Sequence, residues 1–354
     1  MTINNLAYTD LLAEYRTKNN LESFEVGRVV AEHKERYVIK TPELEFDAEL
    51  IGNLRFTADS RHDLPAVGDW VAFSEYDTGK ALIHAVYPRH SIIERQLVGK
   101  SGQTQIIATN IDYGLIVQAV DRDFNLNRLE RYLIICHAAR VAPVIVLSKT
   151  DLIDAEALAD ILKQIEERIS SIPVIPVSHL PEGYKQLNPL IKPGKTYCLL
   201  GSSGVGKSTL LNNLAGEYQM KTGMISSSVN KGKHTTSHRE LIVLESGAVL
   251  IDNPGMREVG ITDISSGLET TFATIYDYAE DCKFKDCTHT QETGCAILAA
   301  VESGKIDEDA YDNFQKMERE KLHFSTDAQE RKKKDKAFGK MIKQVIKERK
   351  KKKY

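Results

Sequence analysis

Two kinds of hydrophobic periodicity divide this chain. From Glu25 to about Glu94, short runs alternate apolar with polar positions: VGRVVA, ERYVIKT, ELEFDAELI, DWVAFSEY and ALIHAVY. A period of two sends successive side chains to opposite faces of a strand. Pro42, Gly52, the segment Pro65–Gly68 and the pair Thr78–Gly79 interrupt the runs where the backbone must turn. Five short strands in sequence predict a small β-barrel of the OB type over residues 23–100. Such barrels commonly bind nucleic acid, although the same pattern also suits a β-domain that only packs on its neighbour. Residues 1–22 read as a short helical or loose leader.

The pattern changes after about Ser101. DYGLIVQAV, APVIVLSK and IPVIPVS are nearly continuous apolar runs, as expected of strands buried on both faces. Asn127–Arg140 and AEALADILKQIEERI, which separate them, space their apolar residues for a helix. TYCLLG then leads into KSTLLNNLAG, a further strand and helix. Strands alternating with helices predict a parallel sheet covered on both faces, over residues 101–265. Ligands of such sheets bind at the carboxyl ends of the strands. Residues 266–330 read as a helical domain, and 331–354 as a basic tail. The expected fold is multidomain α/β.

Composition narrows the class. With 354 residues the chain can hold two or three cores, and 42% hydrophobic with 27% charged residues describes an ordinary globular protein. No apolar run approaches the ~18 residues of a membrane span. The opening MTINNLAYTDLLAEY lacks the basic and apolar regions of a signal peptide, so a cytoplasmic chain without membrane contact is expected. The net charge of −3 hides an asymmetry. Residues 331–354 carry thirteen Lys/Arg against Asp335 and Glu348, a net of +11, which leaves −14 for the rest. A basic tail on an acidic body can engage a polyanion, or simply be a solvated helix end.

The chemistry begins at GSSGVGKST. Gly201, Ser202, Ser203, Gly204, Val205, Gly206, Lys207, Ser208 and Thr209 follow an apolar strand and open a helix, the context a phosphate-binding loop requires. The glycines let backbone N–H groups wrap phosphates, and the helix N-terminus adds favourable partial charge. Lys207 is expected on the β- and γ-phosphates, where it assists catalysis, and Ser208 on Mg²⁺. Asp252 and Gly255 form a D-x-x-G element at a strand end about 45 residues after Lys207. There Asp252 would hold Mg²⁺ through water and the Gly255 N–H would sense the γ-phosphate. Between the two lies KGKHTTSHRE, a candidate switch loop, in which Thr235 or Thr236 would coordinate Mg²⁺.

LSKTD is the candidate base-reading element. Asp151 would accept from the guanine N1–H and amine, while Lys149 would pack along the base beside Thr150. Ser148 stands where N-K-x-D has Asn, which predicts weaker base contacts and weaker bracing of the phosphate loop. Ser178, at the next strand end, is the companion base-side residue. LSKTD precedes the phosphate loop by about fifty residues, whereas most GTPases have the reverse order, which points to a circularly permuted module. Met256 follows D-x-x-G, where many GTPases place a Gln that orients the attacking water. A thioether cannot do that, so slow intrinsic hydrolysis is expected, with His234 as the nearest candidate to orient or deprotonate water.

Cys282, Cys287, His289 and Cys295 offer three thiolates and an imidazole within fourteen positions. That set satisfies one tetrahedral Zn²⁺ and leaves no open position, so the site is expected to be structural. Cys136 and Cys198 lie in apolar helix and strand contexts and are expected in the core.

These ordered motifs resemble the RsgA family (YjeQ or YloQ) of small-ribosomal-subunit-dependent GTPases, over roughly Val26 to Cys295. The resemblance implies an N-terminal OB-fold, a circularly permuted P-loop GTPase domain and a C-terminal helical zinc-binding domain. It further implies GTP hydrolysis to GDP and phosphate, stimulated by the 30S subunit, in late 30S maturation through 16S rRNA binding. The family is monomeric, so a monomer is expected. Two rivals stand beside this reading. One is a P-loop ATPase or kinase in which LSKTD is incidental. The other is an RNA-binding module with a vestigial nucleotide site, which intact Lys207, Ser208 and Asp252 argue against.

Overall fold

The computed structural model describes residues 2–33, 36–96, 104–121, 124–180, 182–215, 240–252 and 265–322. Helix α1 (Asp10–Lys18) precedes the strands β1 (Glu25–His33), β2 (Arg36–Lys40) and β3 (Glu45–Leu50). A short α2 (Gly52–Thr57) leads on to β4 (Trp70–Asp77) and β5 (Lys80–Val86). The strands close in the order β1-β2-β3-β5-β4-β1, with β3 and β5 parallel and the other pairs antiparallel. Closure leaves no free edge. The inward set, Val29, Tyr37, Ile39, Phe46, Val71, Phe73 and Ile83, fills the barrel.

The leader is not loose. Leu6 and Leu12 pack with Val26, Trp70 and Tyr87 on the outer side of the barrel strands. Arg28 lies in that seam with no exposure, donating to the carbonyls of Leu6 (2.7 Å), Gly68 (3.1 Å) and Asn110 (3.1 Å). One buried guanidinium therefore ties leader, barrel and the following sheet together. Beside it, Asp69 takes a bidentate pair from Arg89 (2.8 and 2.6 Å) and a bond from the Thr109 hydroxyl (2.6 Å). Gly68 has φ +99°, and a Cβ there would fall 2.2 Å from the Thr109 carbonyl, so only glycine permits this approach.

An antiparallel hairpin, β6 (Ile92–Gln96) and β7 (Thr104–Thr109), leads out of the barrel. The chain continues through β8 (Tyr113–Ala119), α3 (Leu126–Ala138), β9 (Ala142–Ser148), α4 (Ala155–Arg168), β10 (Val174–Pro176), β11 (Thr196–Leu200) and α5 (Lys207–Ala215). Asn125 and Asp154 cap α3 and α4 by accepting from the N–H groups of Arg128 and Ala157. Strands β12 (Glu240–Val243) and β13 (Val249–Asp252) complete a sheet of order β10-β9-β8-β11-β13-β12. Its pairs are parallel except β12–β13, and β12 also bridges to β1 of the barrel.

β11 sits at the topological centre. The strands on its one side precede it in sequence and those on the other follow it. The order reverses there, which opens a crevice at the carboxyl end of β11. Both faces of the sheet are buried. Leu115, Val117, Tyr197, Leu199 and Leu250 pack on α5, while Ile116, Leu147, Cys198, Leu200 and Ile251 pack toward α3. Cys136 and Cys198 are core residues, with both thiols pushed up by burial, that of Cys198 to about 12.

Helices α6 (Ser265–Thr271), α7 (Ala273–Ala279), α8 (Ala296–Glu302) and a further helix α9 over 308–322 follow. Leu268, Phe272, Ile297, Phe314 and Met317 join the same core as α3. The C-terminal helices therefore share their hydrophobic core with one face of the sheet. Among the described residues, no helix is long and apolar enough to cross a membrane.

Candidate nucleotide-binding and metal sites

The phosphate loop occupies the crevice at β11. Gly201 adopts φ +145°, and a Cβ on it would stand 2.3 Å from the Val117 carbonyl, so the loop leaves the strand through a turn only glycine can make. Lys207 opens α5, and its ammonium donates back to the carbonyls of Gly201 (2.7 Å) and Ser202 (2.5 Å). The cation is thus held over the loop whose N–H groups would wrap a phosphate. Tyr132 of α3 hydrogen-bonds the Ser202 side chain.

LSKTD ends β9, two strands away in the sheet. Ser148 is 2% exposed, and its Oγ donates to the Val205 carbonyl at 2.5 Å. One hydroxyl thus spans the gap to the phosphate loop where N-K-x-D would place an Asn. Lys149 adopts φ +61° and pairs with Asp121 (2.8 Å), two residues beyond the end of β8. Thr150 turns its hydroxyl to the Val177 carbonyl (3.1 Å). Asp151 is exposed and accepts the His179 N–H at Oδ1 (3.0 Å), a bond that holds its carboxyl below the ordinary carboxylate range. Ser178 lies beside it, with Gly183 passing so close that a Cβ would meet the Ser178 Oγ at 2.2 Å.

The structure therefore brings LSKTD and GSSGVGKST together at one crevice. Asp252 ends β13, next to β11 in the sheet. Gly255, Met256, His234, Thr235 and Thr236 lie outside the described residues. Asp121, Tyr132 and the His179 N–H are site neighbours that motif reading missed. Asp121 had a signal, since it is a carboxylate at the carboxyl end of a predicted parallel strand. The other two depend on tertiary approach alone.

The four metal-ligand candidates converge. Their donor atoms all lie within 4.8 Å of one another. The Cys282 and Cys295 sulfurs are 3.9 Å apart, and the His289 Nδ1 is 3.5 and 3.6 Å from them. A tetrahedral ion with Zn–S near 2.3 Å and Zn–N near 2.0 Å needs separations of about 3.8 and 3.5 Å. The cage fits a metal of that size and preference. Burial alone would raise the Cys282 thiol, but N–H groups of Ala296 and Ile297 and the neighbouring thiols bring it below its ordinary value. His289 is held with φ +59°, its carbonyl accepting from Tyr311 (2.6 Å) and Gln315 (3.2 Å) of α9. Glu292 closes the ligand loop, accepting from the N–H groups of Thr288, Thr290 and Gln291.

A family model described as RsgA GTPase matches residues 86–262. A small ribosomal subunit biogenesis GTPase RsgA of Opitutus terrae is 40% identical, with 91% of this chain and 90% of the relative aligned. The chain belongs to the RsgA GTPase family. As a member it is a GTP hydrolase. A second relative, the small ribosomal subunit biogenesis GTPase RsgA 2 of Listeria monocytogenes, is 42% identical over 90% of this chain and 89% of its own. The crystal structure of YjeQ from Thermotoga maritima aligns with a TM-score of 0.62 at 27% identity, covering 84% of this chain and 98% of that one. YloQ, titled a circularly permuted GTPase, shares the fold with a TM-score of 0.61 at 24% identity, over 85% and 96% of the two chains. An ABC transporter model also matches residues 184–341, a stretch that contains the phosphate loop common to both kinds of nucleotide binder.

Proposed function

We propose that this RsgA GTPase binds GTP between LSKTD and the phosphate loop and acts in late maturation of the 30S subunit. Hydrolysis is slow in isolation and stimulated by the small ribosomal subunit, which the chain engages as a cytoplasmic monomer through 16S rRNA. The observation that carries the reading is the Ser148–Val205 hydrogen bond, which joins elements 57 residues apart into one nucleotide crevice despite their inverted order. The curated relatives are named for small-subunit biogenesis, which supports the partner.

Within the site, Asp151 reads the guanine N1–H and amine, Ser178 and Lys149 flank the base, and Lys207 contacts the β- and γ-phosphates. Ser208 and Asp252 are the residues to hold Mg²⁺, which neutralises charge on the phosphate oxygens when bound. Thr235 or Thr236 completes that shell, the Gly255 N–H senses the γ-phosphate, and His234 orients the attacking water in place of the Gln that Met256 replaces. The Cys282, Cys287, His289 and Cys295 cage holds one structural Zn²⁺, since four protein ligands leave no position for substrate. The barrel and the basic tail contact rRNA phosphates.

A nucleotide competition assay on the full chain tests the base-reading part. GTP and GDP should displace labelled GDP at least tenfold better than ATP, and Lys207→Ala should weaken both. Equal affinities for GTP and ATP would favour the P-loop ATPase or kinase reading instead.

A further inference from the structure

We infer that this GTPase reads guanine on its N1–amine edge only, and that Ser148 is a positioning residue for the phosphate loop with no part in recognising N7. The inference rests on the reading that GTP binds beside LSKTD. Purine N7 is an acceptor, so a side chain that recognises it must supply a proton. A serine hydroxyl has one proton to give, whereas an Asn amide has two. The Ser148 proton is committed to the Val205 carbonyl at 2.5 Å, in a position only 2% exposed. An Asn there would have a second N–H left for the base after bracing the loop; serine has none.

Of the other donor side chains of LSKTD, Thr150 is bonded to protein and Lys149 is drawn aside to a carboxylate. The Thr150 hydroxyl donates to the Val177 carbonyl at 3.1 Å, and the Lys149 ammonium is paired with Asp121 at 2.8 Å. Asp151 differs because it is exposed and its carboxylate has several lone pairs, of which the His179 N–H takes one. It can accept two donors in line from guanine. Ser148 also lies beside Gly206 of the phosphate loop, where a Cβ would stand 3.7 Å from its Oγ, at ordinary van der Waals distance.

Equilibrium competition by GTP, inosine triphosphate and 7-deaza-GTP, which carries a carbon in place of N7, separates these edges. With the unmodified chain, 7-deaza-GTP should bind within twofold of GTP, while inosine triphosphate, lacking the amine, should bind roughly tenfold or more weakly. Ser148→Ala should weaken GTP and 7-deaza-GTP by the same factor, roughly 3- to 30-fold, because the loop loses its brace. Ser148→Asn should make binding depend on N7, with 7-deaza-GTP roughly 3- to 10-fold weaker than GTP. A larger than twofold loss for 7-deaza-GTP with the unmodified chain would overturn the inference. So would equal binding of both nucleotides by Ser148→Asn, since residue 148 would then not govern the N7 edge. Equal binding of GTP and inosine triphosphate would instead overturn the underlying assignment of Asp151 to the base.

Discussion

At the scale of single residues, the chain places charge inside wherever two segments must be held in one arrangement. Glu130 of α3 is the clearest case. Its carboxylate takes a bidentate pair from Arg168 of α4 (2.8 and 2.8 Å) and a bond from Asn313 of α9 (2.5 Å), with the paired side chains 3% and 8% exposed. Burial raises the Glu130 carboxyl despite Arg168, as expected when desolvation outweighs attraction. Glu130→Ala, which removes the buried partner of Arg168 and leaves it Asp307 at 3.5 Å, should destabilise the chain by at most about 3–5 kcal/mol. The triple change Glu130→Leu, Arg168→Met and Asn313→Leu, which removes the buried amide that Glu130 accepts from as well as the pair, should recover much of that loss in thermal unfolding. No recovery would show that the pair itself contributes the stability. Such contacts were not legible beforehand. Ligand types and motif spacings can be read along the chain, as Cys282 to Cys295 were. The partners of Glu130 lie 38 and 183 residues away, and nothing local announces them.

At the scale of elements, α3 is the hinge of the arrangement. Tyr132 touches the phosphate loop, Arg131 makes a bidentate pair with Glu320 of α9 (2.9 and 2.7 Å), and His137 bonds the Thr271 hydroxyl of α6 (2.9 Å). Gly267 of α6 approaches so closely that a Cβ would fall 2.3 Å from the Ile134 carbonyl. Burial lowers the titration of His137, and likewise of His84 and His90. The folded chain therefore keeps these rings neutral while the unfolded chain protonates them near pH 6.5. The unfolded state binds more protons in that window, so their contribution to stability is complete above about pH 6.5 and is lost as the pH falls toward the depressed folded values. The melting temperature should fall as the pH drops below about 6.5, and His137→Gln should make that slope shallower. An unchanged slope would remove His137 from the account. The runs made all five barrel strands legible, because each turns one face into the barrel, although β1 and β4 also bury their outer face under the leader. The parallel β3–β5 closure was not, since it depends on pairing rather than pattern. Nor was β12, whose four residues are too few to establish a period.

At the scale of the whole molecule, permutation decides which parts are neighbours. The C-terminal helices follow directly on the segment that carries D-x-x-G, and they share a core with α3 and the sheet. The barrel is fixed at the other end through Arg28, Asp69 and the β1–β12 bridge. Two candidate RNA-facing units thus flank one nucleotide crevice, and the basic tail follows from α9. In the proposed scheme, GTP orders the switch segment and the assembled partner triggers its hydrolysis. GTP turnover by the full chain with and without purified small ribosomal subunits, at several salt concentrations, tests this most directly. Turnover should be slow alone and rise at least tenfold with subunits, the stimulation should shrink as salt screens phosphate contacts, and His234→Ala should abolish it while leaving GTP affinity nearly unchanged. Turnover that stays at its background rate with subunits present, at every salt concentration, would contradict the account.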